Sequence, residues 1–506
     1  MEVNQKYKQR YHANVPSGWS NDPNGMIYYN GQAHLFYQHY PFAAKWGIMH
    51  WGHFVTEDFV KWKSLPIALE PKEPYEAECG CCSGSAIEVD GKLYLMYTAA
   101  QMNLQRQCLA YSEDGVHFTK VDTNPILAPQ EVSDEILPSD FRDPKVFVKD
   151  GQYYCLAGTR IIDEKDVEKR QNLPISYQQD VHVSNVVGTD EAKGYGNMVL
   201  LKGKDLYHWE YVGKLMDIQD EFPAEFFALN GVYECPDYFE VDDQEFVIAS
   251  PQFLPQMSHE YENVHSCIYI NGTLDFQTGH LDMKNIAEID SGFDFYAPQT
   301  LLMPDGRRIM IAWKDMWNRT YPTESDQWIG SYTLPRELYG KEGKLIQKPV
   351  REIENYYQNE VTYEDIDLNG TLSLEGIQGS CIELKVVFDC KEALKTGLKL
   401  FKGSQHETLL YYDAQTESVV FDRSISGAEI GGIEANTSIR TCKIEKEEHL
   451  TLQCFLDMTS LEVFINDGIR TMTGNVYPDL QHDVQIEFFS EGKSTILSVE
   501  KHDIII

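Results

Sequence analysis

Five hairpin signals spread through the first 350 residues constrain this chain more than any other feature. Each is a pair of turn residues followed by a short β-rich run. Asn30-Gly31 precedes Gln32 to Tyr37, Asp90-Gly91 precedes Lys92 to Tyr97, and Asp150-Gly151 precedes Gln152 to Ala157. A degenerate copy, Asp242-Asp243, precedes Gln244 to Ile248, and Asp305-Gly306 precedes Arg307 to Ile311. Successive intervals between the second turn residues are 60, 60, 92 and 63 residues. The long interval holds the polar run Asp163 to Arg170, which reads as an insertion. A second signal, an acidic turn leading to an aromatic, follows several copies: Glu57-Asp58 before Phe59 and Trp62, Glu113-Asp114 before Phe118, and Asp205 before Tyr207 and Trp209. Units of about 60 residues with several strands and no helical periodicity suggest the blades of a β-propeller, five hairpins giving five blades. On spacing alone, an ordinary β-sandwich with incidental Asp-Gly turns stays open.

The texture changes after Val350. A polar connector, 351–360, leads into segments of period-two alternation such as Cys381 to Phe388, Leu450 to Leu456 and Leu461 to Ile465. Such alternation marks half-buried antiparallel strands. The expected organisation is all-β: a five-bladed propeller over 1–350, a linker over 351–360 and a β-sandwich over 361–506. A composition that is 42% hydrophobic and 12% aromatic supplies a packed core and argues against disorder.

A net charge of −36 repels phosphate backbones and anionic lipid, so neither nucleic acid nor a membrane surface is an expected partner. No apolar run approaches the ~18 residues of a membrane helix, and Met1 to Tyr7 lacks the apolar stretch of a secretory signal; a cytoplasmic protein is the expectation. Eleven cysteines without framework spacing read as mostly free thiols. Cys79, Cys81 and Cys82 lack a fourth ligand for a tetrahedral zinc site. His34, His39, His50 and His53 lie among strand-like aromatic residues, where ring packing is the simpler reading. No metal and no cofactor are expected.

The first strands of the five units can be compared at a fixed offset before each turn. Asp22 lies nine residues before Gly31, Asp143 eight before Gly151, and Glu234 nine before Asp243; Ser83 and Ala297 hold the same phase in the other two units. Equivalent positions in propeller blades converge on one end of the central channel, so the three acids should share a pocket. A proline follows each acid within two residues, which suggests strand entrances; taken singly, each acid also reads as a turn cap. Grouped carboxylates without a nucleophilic triad or Walker loop point to glycoside chemistry, in which one carboxyl protonates the leaving oxygen and another attacks or activates water. Trp19, Tyr37, Trp46, Trp51 and Trp313 offer flat faces for sugar rings, and equally good core material.

These motifs resemble glycoside hydrolase family 32, the β-fructofuranosidases. The resemblance runs through Trp19 to Gly25, Phe36-Tyr37-Gln38, Trp51-Gly52-His53, Ser83-Gly84-Ser85, Phe141 to Pro144, Glu234 to Asp237, Asp294 to Gln299, Thr333 to Leu338 and Leu461 to Gly468. It implies a five-bladed propeller joined to a β-sandwich and retaining cleavage of terminal β-fructofuranosyl bonds, in sucrose, sucrose-6-phosphate or short fructo-oligosaccharides. It implies Asp22 as nucleophile and Glu234 as general acid and then base. Asp143 with Arg142 would hold fructose hydroxyls and stabilise the oxocarbenium-like transition state. Asn21, Gln38, Trp46, Ser83 and Trp313 match positions that contact fructose.

Two positions depart from the family pattern. Ser20 stands where an apolar residue is common, and Cys82 where an aromatic precedes Ser-Gly-Ser. Both are expected near the pocket mouth, Cys82 in contact with substrate and in a wall sensitive to oxidation. A phosphate on the substrate would need cations at the rim, with Lys45, Arg106 and Arg319 the candidates. A small carbohydrate is the expected partner, and the sandwich offers a docking surface for a second copy of the chain. An inverting propeller glycosidase on arabinan- or xylan-type substrates, a fructosyltransferase and a non-catalytic sugar-binding propeller remain alternatives at this level.

Overall fold

The computed structural model describes residues 3–162, 194–217, 231–254, 259–432, 438–445 and 449–506. The 163–170 insertion lies outside the described residues. Up to Val350 the chain forms five antiparallel sheets that open, in order, on the strands Gly18–Tyr29, Gly80–Val89, Ile136–Lys149, Tyr233–Val241 and Tyr296–Leu302. Each opening strand packs beside the next, and the fifth returns to the first, closing a five-bladed propeller. The hairpin signals are the turns between first and second strands of each blade. Asn30-Gly31, Asp90-Gly91, Asp150-Gly151 and Asp242-Asp243 all hold positive φ at both positions, the primed geometry that matches the strand twist and that Asn, Asp and Gly tolerate best. The acidic turns are Asx-type: one carboxylate oxygen each of Asp58, Asp114 and Asp205 accepts from the backbone amides two and three residues on.

Closure is made by late residues. Trp328–Ile329 add a short parallel strand against Gly18 and Trp19 in the first blade, and Asn14 bridges to Ser331. Blade-to-blade contact is close enough to demand glycine in places: a Cβ on Gly158 of blade 3 would lie 2.1 Å from the Tyr233 carbonyl of blade 4.

The segment 351–360 carries a 3-10 turn, Arg351–Tyr356, before a strand starts at Tyr357. The C-terminal sheets are built around two long strands, Cys381–Lys402 and Gln485–Ile504, paired along their length. Register shifts at Asp389/Glu392 and Lys399/Lys402 bend the pair, so the two layers of the sandwich share strands and it approaches a barrel. Its core is the apolar half of the alternating segments, including Leu384, Val386, Phe388, Leu452, Cys454 and Val463.

The two parts meet through a polar seam. The Arg10 and Tyr11 amides donate to the Asp457 carboxylate, and Tyr11 Oη donates to the Leu456 carbonyl at 2.7 Å. His12 lies between Asp457 (2.7 Å) and Glu462 (2.9 Å). Among the described residues no helix is long and apolar enough to cross a membrane.

Candidate active site

The opening strands of all five blades carry a register irregularity at the same phase. It spans Ser20 to Pro23, Cys82 to Gly84, Arg142 to Lys145, Glu234 to Asp237 and Tyr296 to Gln299. Asp143, Cys235 and Ala297, each followed by proline, hold positive φ of 59°, 48° and 51° there. Proline cannot donate to the ladder and is accommodated at a bulge. Asp22 and Asp143 therefore sit well inside their strands and not at the entrances, whereas Glu234 is the second residue of its strand, as expected; at all three the bulges re-aim the chain toward the channel.

The bulges gather one pocket, lined by Asn21, Asp22, Gln38, Trp46, Met49, Cys82, Ser83, Gln105, Arg142, Asp143, Glu234, Gln252 and Trp317. All three expected carboxylates are in it. Asp22 Oδ2 accepts from Ser83 Oγ at 2.7 Å and from Cys235 Sγ at 3.5 Å. The Cys235 amide donates to Asp143 Oδ2 at 2.9 Å, and the Asp143 amide to Thr98 Oγ1 at 3.0 Å, so Asp143 ties blade 3 to blades 2 and 4. Arg142 straddles Glu234 Oε1 with Nε at 3.1 Å and Nη2 at 3.0 Å, while Tyr296 Oη donates to Glu234 Oε2.

Crowded carboxylates disfavour simultaneous ionisation. Burial and the Glu234 charge push Asp22 above its ordinary range, and hydrogen bonds from Ser83, Asn21 and Cys235 oppose this. Burial pushes Asp143 up as well; Arg142 opposes, and Glu234 and Asp22 add to the rise. For Arg142 burial disfavours the charge, but Glu234, Asp140 and Asp143 outweigh it and keep the guanidinium firmly protonated.

Of the other expected contacts, Asn21, Gln38, Trp46, Cys82, Ser83 and Arg142 reach the pocket. Trp313 does not: it is fully buried, with Trp19 and Trp317 packed on it at centroid distances of 5.7 and 5.1 Å. Trp317, four residues on and outside any strand, supplies the aromatic wall instead. Ser20 is fully buried, where a Cβ on Gly330 would collide with its Oγ, so it is absent from the mouth. Cys82 is partly exposed on the pocket wall; burial, with Cys79, Asp143 and Asp22 nearby, holds its thiol well above its ordinary value. Arg319 is buried on Asp294 at 2.8 Å and is no rim cation. Met49, Gln105, Gln252 and Trp317 were not singled out from sequence. Of these, Trp317 had a signal, a second tryptophan just past the last blade's Trp313.

All eleven cysteines are free. His34 Nδ1 meets His53 Nε2 at 3.0 Å, and His53 stacks on Phe36 at 4.0 Å; His39 and His50 bond the carbonyls of Trp19 and Ile48.

Comparison with known proteins agrees with this fold. The model of the glycosyl hydrolases family 32 N-terminal domain matches residues 12–169 and 173–349, and that of the family 32 C-terminal domain matches 352–504. A sucrose-6-phosphate hydrolase of Zymomonas mobilis is 32% identical over 485 residues, covering 93% of this chain and 86% of its own. The solved sucrose-6-phosphate hydrolase of Lactobacillus gasseri is 29% identical with a TM-score of 0.82, covering 99% of this chain and 94% of that one. A Bombyx mori GH32 beta-fructofuranosidase is 27% identical, with a TM-score of 0.78 and 99% and 95% coverage. The chain belongs to glycosyl hydrolase family 32.

Proposed function

We propose that this glycoside hydrolase releases terminal β-D-fructofuranosyl units from sucrose, sucrose-6-phosphate or short fructo-oligosaccharides with retention of configuration. The observation that carries the reading is the meeting of Asp22, Asp143 and Glu234 in one pocket, each delivered by the bulge of a different blade. Asp22 attacks the anomeric carbon as the glycosidic bond breaks. Ser83 and Cys235 both hold its Oδ2, which leaves Oδ1 for the attack. Glu234 gives its proton to the departing oxygen, then takes one from the water that cleaves the fructosyl-enzyme. Asp143 and Arg142 grip fructose hydroxyls and offset charge in the oxocarbenium-like transition state. Asn21, Gln38 and Trp46 frame the ring, with Cys82 and Trp317 on the walls.

The limits 1–350 for the catalytic propeller, 351–360 for the linker and 361–506 for the sandwich are supported at the first boundary by the 3-10 turn at Arg351–Tyr356, while the strand that begins at Tyr357 takes the end of the linker into the sandwich. Eleven unpaired thiols favour a reducing, cytoplasmic compartment.

The test compares wild type, E234A and D22A on sucrose and on a fructoside with a phenolate-type leaving group, with the anomer of the first product read by NMR. E234A should lose sucrose turnover yet keep much of the activated substrate; D22A should lose both. Substantial turnover by D22A, or an inverted first product, would overturn the assignment.

A further inference from the structure

Behind the pocket, blade 3 carries a buried charge array that contributes no pocket-lining residue except Arg142. Asp140 lies two residues before Arg142 on the opening strand Ile136–Lys149, and Arg160 on the adjacent strand Gln152–Ile161. Asp140 is 1% exposed, Arg160 3% and Arg142 6%. Asp140 Oδ1 accepts from Arg142 Nη1 at 2.7 Å, and its Oδ2 accepts from Arg160 Nε at 2.6 Å and pairs with Arg160 Nη2. The Asp140 carbonyl is itself held by Thr159 Oγ1 at 2.7 Å. Gln105 Oε1 completes the setting, accepting from the Phe141 amide at 3.0 Å and from Arg142 Nη1 at 3.3 Å. With Nη1 occupied in this way, Arg142 presents Nε and Nη2 as a fixed fork to Glu234. A guanidinium is planar, so fixing one edge orients the other.

We propose that Asp140 and Arg160 are positioning residues: the buried row Arg160–Asp140–Arg142 holds the guanidinium fork on Glu234 and sets the pH at which proton donation to the leaving group fails. The proposal rests on the reading of Glu234 as the general acid. Among the described residues, the charged and titratable groups around Glu234 are Asp22 from blade 1, Arg142 and Asp143 from blade 3, the adjacent Cys235, and Tyr296 from blade 5. Behind Arg142 the row adds one negative and one positive charge in a dry environment, where charges act over several ångströms. Removing them separately should therefore move the acid's titration in opposite directions.

The test is the pH dependence of kcat/KM on sucrose for wild type, D140N, R160M, R160K and D140N/R160M. D140N removes a negative charge while its amide oxygen still accepts from Arg142; the basic limb should move to lower pH by about 0.5–1.5 units. R160M removes a positive charge and should move the limb up by a similar amount. The double variant, losing one of each, should return near wild type, and R160K should keep the wild-type limb. For all of them an activated fructoside, which needs no proton, should show a flatter response to pH. Equal losses on both substrates with an unmoved limb, or shifts of the same sign in D140N and R160M, would overturn the proposal. Should either single variant fail to fold, R160K and the double variant carry the test, and a double-variant limb displaced by more than about half a unit counts against it. If E234A fails to separate sucrose from the activated substrate, it is the general-acid reading that falls, and with it the premise.

Discussion

Arg336 is a densely bonded cation at the seam between propeller and sandwich, and its replacement by methionine gives a quantitative test of what holds the two together. The residue is 1% exposed. Nη1 donates to Asp290 Oδ2 (3.1 Å), Gln347 Oε1 (2.8 Å) and Thr471 Oγ1 (3.1 Å), and Nη2 to Glu462 Oε2 (2.8 Å) and Thr473 Oγ1 (2.6 Å). Phe295 and Phe464 cover the guanidinium, with centroids at 4.9 and 5.3 Å. Burial pushes Glu462 up, but Arg336, His12 and Lys314 outweigh it and hold the carboxyl down at about 2, against an ordinary 4.5. At ~1.4 kcal/mol per unit, that depression corresponds to about 3 kcal/mol of folding stability. Methionine fills the space but leaves Asp290 and Glu462 buried with a cation lost, a change that costs about 3–5 kcal/mol.

The sign with pH follows from the depressed carboxyl: its contribution is fully present above about 4.5 and fades as pH falls through about 2. The deficit of R336M against wild type should be largest at neutral pH and shrink towards pH 3. Adding E462Q should recover part of it, since the uncompensated charge is then gone. All eight tryptophans lie before residue 350, so tryptophan fluorescence follows the propeller alone, while circular dichroism follows both parts. Urea titrations read by both signals would show whether the variant also separates two transitions that coincide in the parent. A deficit below about 1 kcal/mol at pH 7, or one equally large at pH 3, would refute the reasoning.

Two further outcomes are expected. Y296F removes the hydroxyl that donates to Glu234 Oε2; a hydrogen bond to a charged group is worth about 1.5–3 kcal/mol, so the basic limb of kcat/KM on sucrose should rise by about one unit or more, and an unmoved limb would refute this. Glu288, buried and pushed up to about 8 from 4.5, costs stability as pH rises between those values. E288Q, which keeps a side-chain acceptor for Ser291 Oγ, should gain on wild type by up to on the order of 4 kcal/mol from pH 5 to pH 9 in thermal unfolding; a gain that does not grow with pH would sink the assignment.

The blade count was legible because Asn-Gly and Asp-Gly turns have one dominant physical use, the primed hairpin, and four of the five turns show its two positive φ values. The phase of the acids was legible for the same reason, being measured from those turns. The bulges were not. A Pro after Asp143 or Cys235 signals only that the ladder is broken, and strand entrance and mid-strand bulge break it alike. Trp313 and Trp317 show a second limit. Both are tryptophans beside one motif, and only three-dimensional packing decides that the former is covered by the latter. The Asp140–Arg160 pair left no trace in local pattern, because its members meet across neighbouring strands 20 residues apart.

The way the ring is fastened has a consequence for how the molecule can be made. The first blade receives its last strand from Trp328–Ile329, and residues 10–12 are gripped by Asp457 and Glu462. A ribosome delivers these partners last. Every nascent chain must therefore carry its opening blade with one edge unpaired until some 300 further residues have emerged, and the earliest segment stays unanchored until the sandwich is nearly complete.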